Sequence, residues 1–113
     1  MTPHQITHNV ATANDGEILR IDMIKPNIGL VFKATNLNNP VRIDFTWSND
    51  GITKLPLTNA DGDAQSVTIP SGATSSVGVM FSNIIGKYLH INIVKLTATV
   101  GIVTEIQSLL KEV

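Results

Sequence analysis

The 113-residue chain has no cysteine and few charged residues. Without cysteine, a disulfide bond, a cysteine-ligated zinc ion and a thiol nucleophile are all excluded. Charged residues make up 15% of the chain and its net charge is −1, whereas an average soluble domain has roughly 25% charged residues. A chain with so few cations lacks the basic surface that binds nucleic acid or an anionic membrane. We expect neither as a partner.

Long apolar runs are also missing. No stretch approaches the roughly 20 apolar residues of a membrane-spanning helix, so membrane insertion is not expected. The segment from Met1 to Val10 has no basic start followed by an apolar run, and it does not resemble a secretory signal peptide. Together with the low charge, this predicts a protein of a virion or an extracellular surface that is released without a secretory signal peptide.

β-Branched residues dominate what is present. The sequence has 14 Ile, 10 Val and 12 Thr, and these side chains lose rotamer freedom in helices but pack well on a pleated sheet. The polar positions are mainly Thr, Asn and Ser rather than Lys and Glu. No alternation of strands with helices indicates parallel βαβ units. The composition predicts an all-β domain.

The clearest strand pattern runs from Val41 to Trp47. Apolar Val41, Ile43, Phe45 and Trp47 alternate with Arg42, Asp44 and Thr46. This period of two indicates a strand with one buried face, which places Trp47 in the core. Ser48-Asn49-Asp50-Gly51 then favours a hairpin turn, because Asn, Asp and Gly tolerate positive φ. Similar segments recur about every 8–12 residues, which predicts an antiparallel two-sheet β-sandwich of seven to eight strands, with the jelly roll as one form.

The two ends of the chain are less regular. Residues 1–16 mix Thr, Asn and His with isolated apolar residues, which predicts a flexible N-terminal arm before a single β-sandwich domain at residues 17–113. The longest strand candidate, Lys87–Leu96, changes the parity of its apolar residues near Val94, which indicates a bulge or a covered second face. Residues 107–113 fit a continued strand and a short terminal helix equally well.

Three runs of sequence resemble a known class of module. They are VRIDFTWSNDGITKLPL from Val41, VTIPSGATSSVGVMF from Val67 and GKYLHINIV from Gly86. A strand that ends in an Asp-Gly hairpin, followed by a Gly/Pro turn and a strand that opens with Lys-Tyr, is similar to β-sandwich modules of phage virion proteins and of bacterial surface or spore-appendage proteins. The similarity covers about half of the chain and consists of turn residues. The resemblance implies a structural or adhesive role, and it brings no active-site residues with it.

Residues that could bind a metal or catalyse a reaction are sparse. His4 and His8 would share a face only on a helix, which this segment does not favour. The loop Asn59–Asp63 has oxygen donors at alternate positions, but Ala64 stands where an EF-hand needs glycine, which leaves only a looser calcium loop as an option. No phosphate-loop or dinucleotide motif occurs, and a Ser-His-Asp triad would depend on His90. We expect no enzymatic activity, no catalytic residues, no metal and no cofactor.

A carbohydrate-binding face would need exposed rings, and the chain has five aromatic residues. Tyr88 and His90 have the outward parity of their strand and are the best exposed pair. The candidate ligand face consists of these two residues and the loop residues Asn59, Asp61 and Asp63.

Taken together, these features predict a non-enzymatic structural subunit that self-assembles, as a virion decoration, tail or fibre component or as a comparable surface filament. Open sandwich edges expose unpaired backbone groups, which monomers usually protect with charge. Because charge is scarce here, we expect homo-oligomers or contacts with other structural subunits. The arm is expected to add to a neighbouring sandwich with Ile6 and Val10 as anchors. The alternative function is a carbohydrate- or receptor-binding module that uses the candidate ligand face on a glycan.

Overall fold

The computed structural model describes residues 4–12, 16–58, 61–82, 84, 86–94 and 102–112. These residues form nine β-strands in two antiparallel sheets. The strands are β1 (His4–Thr12), β2 (Gly16–Asp22), β3 (Asn27–Leu37), β4 (Val41–Ser48), β5 (Leu55–Pro56), β6 (Ser66–Ile69), β7 (Gly72–Phe81), β8 (Tyr88–Val94) and β9 (Ile102–Lys111). The described part of the chain has no helix that is long and apolar enough to cross a membrane.

The two sheets pack face to face as a sandwich. Sheet 1 has the strand order β1-β9-β3-β7, and sheet 2 has the order β2-β8-β4-β5, with β6 also paired to β4. The all-β, antiparallel two-sheet architecture predicted from the sequence is confirmed. The structure has nine strands rather than seven or eight, because the N-terminal segment adds β1.

The core lies between the inward faces of the sheets. On β4, Val41, Ile43 and Phe45 are each 2% exposed or less, as the alternation predicts. The Phe45 ring lies 6.0 Å from that of Phe32 on β3 and 4.9 Å from that of Phe81 on β7, measured between centroids. Full burial of a large apolar side chain stabilises a fold by about 1.5–3 kcal/mol. This aromatic cluster is therefore a main attachment between the sheets.

The N-terminal segment differs from the predicted flexible arm. Strand β1 pairs antiparallel with β9 of the same chain, with His4 opposite Leu110 and a register shift between Asn9 and Thr12. The pairing satisfies backbone groups of β9 that would otherwise lie at the sheet edge. Isolated apolar residues are compatible with such a strand, because an edge strand covers the core on only part of one face.

The structure also resolves the open point at the C-terminus. Strand β9 continues to Lys111 between β1 and β3, so the strand alternative for this segment is confirmed and the terminal helix is wrong. Strand β8 pairs with β4 in unbroken register as far as Val94, and Leu96 lies outside the described residues. The strand β9 is long because both of its neighbours supply hydrogen-bond partners along its length.

The strand beside β4 is interrupted by a loop. Strand β5 pairs with Trp47 and Thr46, and β6 pairs with residues 41–44 further along β4. Between them, Leu57 donates its N–H to Phe45 O at 3.1 Å, and a bridge pairs Thr58 with Ala64. We call the described residues of this connection, 57–58 and 61–65, the edge loop. Ala64 and Gln65 lie beside β4.

Candidate functional site

A hydrogen-bonded set of polar side chains, of which two are buried and two are partly exposed, crosses the outer face of sheet 2. His90 on β8 is fully buried, although it has the outward parity of its strand. Its Nδ1 lies 2.5 Å from Glu17 Oε1 on β2, and its Nε2 lies 2.6 Å from Ser48 Oγ at the end of β4. Lys54 Nζ lies 3.0 Å from the same glutamate oxygen. We call these four residues the polar relay.

The turn after β4 folds back over this face and carries Lys54 to it. Gly51, at φ +79°, donates its N–H to Ser48 Oγ at 3.1 Å. Asp50 Oδ1 accepts hydrogen bonds from the N–H groups of Ile52 and Thr53, at 2.8 and 2.7 Å. The Asp and Gly that predict this turn thus fix its shape. Held in this way, the turn brings Lys54 to Glu17 and donates a hydrogen bond to Ser48, the partner of His90.

The ionisation of Glu17 determines which atoms donate in the relay. Burial raises the pKa of Glu17, but hydrogen bonds from Lys54 and His90 outweigh this effect and hold the pKa below its ordinary value. An ionised carboxylate only accepts, so His90 Nδ1 carries the proton that it donates to Glu17. In the neutral imidazole, Nε2 then accepts the hydroxyl proton of Ser48. Every polar atom of the buried imidazole therefore has a partner.

Ser48, His90 and Glu17 follow the order of a serine-histidine-acid triad. Acyl transfer needs a hydroxyl that a substrate carbonyl can reach, beside donors that stabilise the oxyanion. Ser48 is 1% exposed, and the nearby Gly51 N–H is already donated to its Oγ. This geometry connects three strands and leaves no approach for a substrate while the turn is in place. The absence of enzymatic activity stays a prediction.

The candidate ligand face does not form one accessible surface. Tyr88 is half-buried and Arg20 covers its ring, with the guanidinium carbon 4.6 Å from the centroid. His90 is buried in the polar relay. Asp61 and Asp63 are exposed in the edge loop, and Asn59 lies outside the described residues. Within the described part of the chain, no three His, Asp or Glu side chains group closely enough to hold a metal ion.

The two predicted assembly anchors both lie on β1. Ile6 is opposite Ser108 on β9 and remains 39% exposed. It lines an open seam between β1 and β2, together with Ile21 and Ile24. Val10 belongs to the same strand, and its side chain lies outside the described part. In this single chain, the strand that carries the anchors is held by β9.

A pocket lies on the outer face of sheet 2 beside β4. Arg42 and Asp44 form a bidentate pair, with Nε–Oδ1 at 2.8 Å and Nη2–Oδ2 at 3.0 Å. Thr46 comes next on the same face, and its Oγ1 is buried with no hydrogen-bond partner among the described residues. Pro56 and the end of the edge loop complete a cavity of about 410 Å³. The alternation along β4 predicts that Arg42, Asp44 and Thr46 point outward. Nothing in the sequence indicates that Pro56 and residues 64–65 lie beside them, because their position depends on the short pairings of β5 and β6 with β4.

The outer strands of the two sheets differ in how well they are protected against pairing with other chains. Strand β2 carries Glu17, Arg20 and Asp22 and has a register shift, and the opposite edge of sheet 2 is interrupted by the edge loop and contains Pro56. The outer strands of sheet 1, β1 and β7, read HQITHNVAT and GATSSVGVMF, with no Asp, Glu, Lys, Arg or Pro. Strand β7 pairs with β3 without a register shift, and β1 pairs regularly with β9 from His4 to Asn9, with its own shift confined to the end of the strand before Thr12. Charge, proline and bulges are the features that keep edge strands from pairing with other chains, so sheet 1 has the less protected edges.

Comparison with known proteins concerns the fold. No protein-family model and no curated protein sequence matches the chain. The crystal structure of the SPBc2 prophage-derived protein YomS superposes with a TM-score of 0.61 and 13% identity, covering 96% of each chain. A chain from Bacillus endospore appendages, which form disulfide-linked pili, superposes with a TM-score of 0.48 and 16% identity, covering 99% of this chain and 88% of that one. The prophage-derived protein shares the sandwich fold with this chain, so the resemblance to phage sandwich modules is confirmed at the level of the fold.

Proposed function

We propose that this chain is a non-enzymatic structural subunit that assembles with copies of itself through the outer strands of sheet 1. The assembly would be a virion component, such as a decoration, tail or fibre protein, or a comparable filament on an extracellular surface. The observation that carries the proposal is the contrast between the two sheets. Both edges of sheet 2 are protected by charge, proline or an interruption, whereas β1 and β7 carry no charged residue.

Strand direction supports the continuation of sheet 1 from one copy to the next. Each strand in the order β1-β9-β3-β7 is antiparallel to its neighbour. Strands β1 and β7 therefore run in opposite directions, and β7 of one copy meets β1 of an identically oriented copy as an antiparallel pair. The contact joins two different edges, so it repeats without closing into a dimer. Each copy adds four strands, or about 19 Å of sheet width at about 4.8 Å per strand.

This geometry gives the N-terminal segment a defined role in assembly. Strand β1 keeps its pairing with β9 and offers its other edge to the neighbouring copy, which is a form of strand addition. Ile6 lies at the open seam beside this edge, where a neighbouring copy would reduce its exposure of 39%. The segment therefore acts as the connecting strand of the assembly while it remains part of its own sandwich.

Apolar groups on the outer face of sheet 1 give further support. Met80 on β7 is 83% exposed, and Gly29 separates it from Leu109, which is 37% exposed. Val31, 36% exposed, lies on the same outward parity of β3. A cluster of exposed apolar side chains marks a surface that contacts other proteins more often than an isolated exposed residue does. Edge pairing leaves this face exposed and available for lateral contacts between assembled sheets, which agrees with a structural role.

We also infer that the sandwich is a jelly roll. With β5 and β6 counted as one interrupted strand, each sheet has four strands, in the orders 1-9-3-7 and 2-8-4-(5,6). Most successive strands then lie in opposite sheets, as in a double-sheet jelly roll. Such a fold leaves two edges on each sheet, and it is the protection of these edges that differs here.

A charge placed on β7 tests the assembly. Ser76 is exposed on β7 opposite Lys33, and Thr68 is exposed on β6 opposite Arg42, so Ser76→Lys and Thr68→Lys are a matched pair. Light scattering and negative-stain microscopy should reveal concentration-dependent assembly of the unmodified chain. Ser76→Lys should shift it to monomers, and Thr68→Lys should not. A monomeric parent chain at all concentrations, or equal effects of the two variants, would contradict the proposal.

A further inference from the structure

We propose that the outer face of sheet 1 is a second assembly surface, which packs against the same face of another copy around a twofold axis parallel to the strands. The axis passes between β3 and β9, the two inner strands of the sheet. This inference rests on the proposed function and adds to it, because edge pairing joins copies side by side and leaves the outer face uncovered. With a row of edge-paired copies called a ribbon, two ribbons pack face to face.

Exposed apolar side chains are concentrated on this face. Of the seven large apolar residues that the described part of the chain exposes, Val31, Met80 and Leu109 lie here. Val31 and Leu109 belong to the inner strands β3 and β9, where edge pairing does not reach them. Beside them, an open depression of about 540 Å³ lies over Gly29 and Gly78, which have no side chains. The face therefore has both apolar projections and the space to receive them.

The register between β3 and β9 determines what the twofold axis brings together. Gly29 is opposite Leu109, and Lys33 is opposite Glu105. A twofold axis between the two strands exchanges their positions, so each residue of β3 lies over its own β9 partner in the second copy. Leu109 of each copy then lies over Gly29 of the other. A projecting side chain thus meets a position without one, on both sides of the axis.

Charge complementarity identifies a second copy as the occupant. Lys33 and Glu105 form an ion pair, with Nζ 3.2 Å from Oε2, and their side chains are 48% and 26% exposed. The same axis places Lys33 over Glu105 of the second copy, and Glu105 over its Lys33. The two pairs form a quartet in which each charge has an opposite charge both beside it and across the contact, an arrangement that favours specific association. Lys111, at the end of β9, falls over the neutral Asn27.

The size of the face suits a contact that repeats along a ribbon. Its four strands have 9 to 11 residues, which gives a surface about 19 Å wide and about 33 Å long. Two such faces bury about 1,250 Å², near the lower limit of roughly 1,200 Å² for a specific interface. Single copies would therefore pair weakly. Along two ribbons the contact recurs with every copy, and the repeated contacts hold much more tightly than one.

Mass per unit length from scanning transmission electron microscopy tests the inference on filaments of the full chain. One copy has a mass of 12.2 kDa and adds about 19 Å. A single ribbon therefore has about 0.64 kDa per Å of its length and a face-paired ribbon about 1.3 kDa per Å. We expect the paired value. Filaments with the single value would overturn face pairing and leave edge pairing intact, whereas the absence of filaments would overturn both.

An exchange of charges locates the contact within the chain. Glu105→Lys would place like charges together throughout the quartet, and it lies on the inner strand β9, away from the sheet edges. It should still form ribbons, with half the mass per unit length. Lys33→Glu/Glu105→Lys reverses both charges and should recover the paired value. Asp44→Lys is the matched control, because it breaks an exposed ion pair on sheet 2 and should keep the paired value.

A second variant covers the case in which Glu105→Lys does not fold. Val31→Lys changes an exposed residue of β3 and would place an unpaired charge against Gln107 of the second copy, so it should also halve the mass per unit length. A parent-like value in Val31→Lys or Glu105→Lys would overturn face pairing. So would equal halving by Asp44→Lys, or a double variant that stays at the single value.

Discussion

His90 occupies an outward position of β8 and is nevertheless fully buried, so its environment has to be made by other parts of the chain. A buried imidazole is tolerated when both ring nitrogens have partners. Glu17 from β2 and Ser48 from β4 supply them, and Lys54 completes the relay from the turn. The relay therefore fixes three neighbouring strands and the turn after β4 to one side chain.

The charge of Glu17 makes the relay sensitive to acid. Its pKa in the folded chain is below the ordinary value of 4.5, so its contribution to stability is present above that value and is lost as the pH falls through the folded pKa. We expect Glu17→Gln to lower the free energy of unfolding near neutral pH by about 1 kcal/mol, as for a partly exposed hydrogen-bonded group. The difference from the parent should shrink below pH 4.5. Urea unfolding at a series of pH values measures both effects.

Other carboxylates contribute to the same acid window and require a control. The pKa values of Asp50 and Glu105 are also lowered, chiefly by hydrogen bonds from the backbone at Ile52 and from Gln107 respectively. Glu17→Gln should therefore reduce the slope of stability against pH without abolishing it. Glu112→Gln alters an exposed carboxylate outside the relay. A slope in Glu17→Gln as steep as that of Glu112→Gln would contradict a stabilising role for the relay.

At this scale the sequence identifies residue types but not their grouping. It marks His90 as the histidine on which a triad would depend, and it places Thr46 on the outward face of its strand. The partners of His90 lie 73 and 42 residues away along the chain. Such contacts depend on which strands become neighbours and in which register, and a single strand pattern holds no information on either. The relay and the pocket were therefore visible only in the fold.

Strand β4 is the element from which the sandwich could best be predicted. Its alternation, its core residues and the turn that follows it agree with the sequence pattern. Strand β1 is the opposite case. Its sequence pattern alone supports a strand only weakly. The segment forms a strand because β9, about 100 residues later, supplies the backbone hydrogen-bond partners. Edge strands take much of their stability from one neighbour, so their own pattern is the weakest.

The packing of β4 against the segment before β8 sets a strict size limit at one glycine. A Cβ at Gly86 would lie 2.5 Å from Cε3 of Trp47 and 3.2 Å from its Cδ2. Gly86→Ala should therefore displace the indole and cost about 1–3 kcal/mol, as overpacking does in cores. Chemical unfolding gives the cost, and a shift in tryptophan emission reports the displacement of the ring.

Gly78 on β7 is the matched control for this substitution. A Cβ there would meet Leu30 O at 3.6 Å, an ordinary van der Waals contact, and the backbone does not adopt positive φ. Gly78→Ala should leave stability unchanged or raise it slightly, because glycine is unfavourable inside a strand. Equal losses in the two variants would show that the clash with Trp47 is not the cause.

For the whole molecule, the decisive property is that the outer strands of the two sheets differ in charge. Sheet 2 places charges on β2 and interrupts its other edge, and one of the side chains that protect β2, Glu17, also belongs to the polar relay. Sheet 1 has two long strands without charged residues, β1 and β7, at its edges. Under the proposed function, a molecule with one protected sheet and one open sheet would grow along a single axis. Low overall charge, taken alone, indicates only that some surface is open to partners.

Because the chain has no cysteine, introduced cysteines can test this axis without interference. Thr7 on β1 and Ser76 on β7 are exposed and have the outward parity of sheet 1. Within one molecule they lie on strands three spacings apart, about 14 Å, beyond the roughly 7 Å between Cα atoms that a disulfide allows. The double variant Thr7→Cys/Ser76→Cys should therefore cross-link only between molecules. On a non-reducing gel, after mild oxidation, it should form a ladder of linear multimers.

The single variants decide how the edges meet. If β7 pairs with β1 of the next copy, Thr7→Cys or Ser76→Cys alone has no cysteine opposite it and should remain uncross-linked, while an equal mixture of the two should give dimers. If β7 instead pairs with β7 of a second copy, Ser76→Cys alone gives dimers and the contact closes on itself. A second double variant, Thr7→Cys/Thr74→Cys, samples a register two residues away on the same face. A ladder from either double variant with silent singles requires an open, head-to-tail sheet, whereas dimers from Ser76→Cys alone would replace the filament with a closed pair.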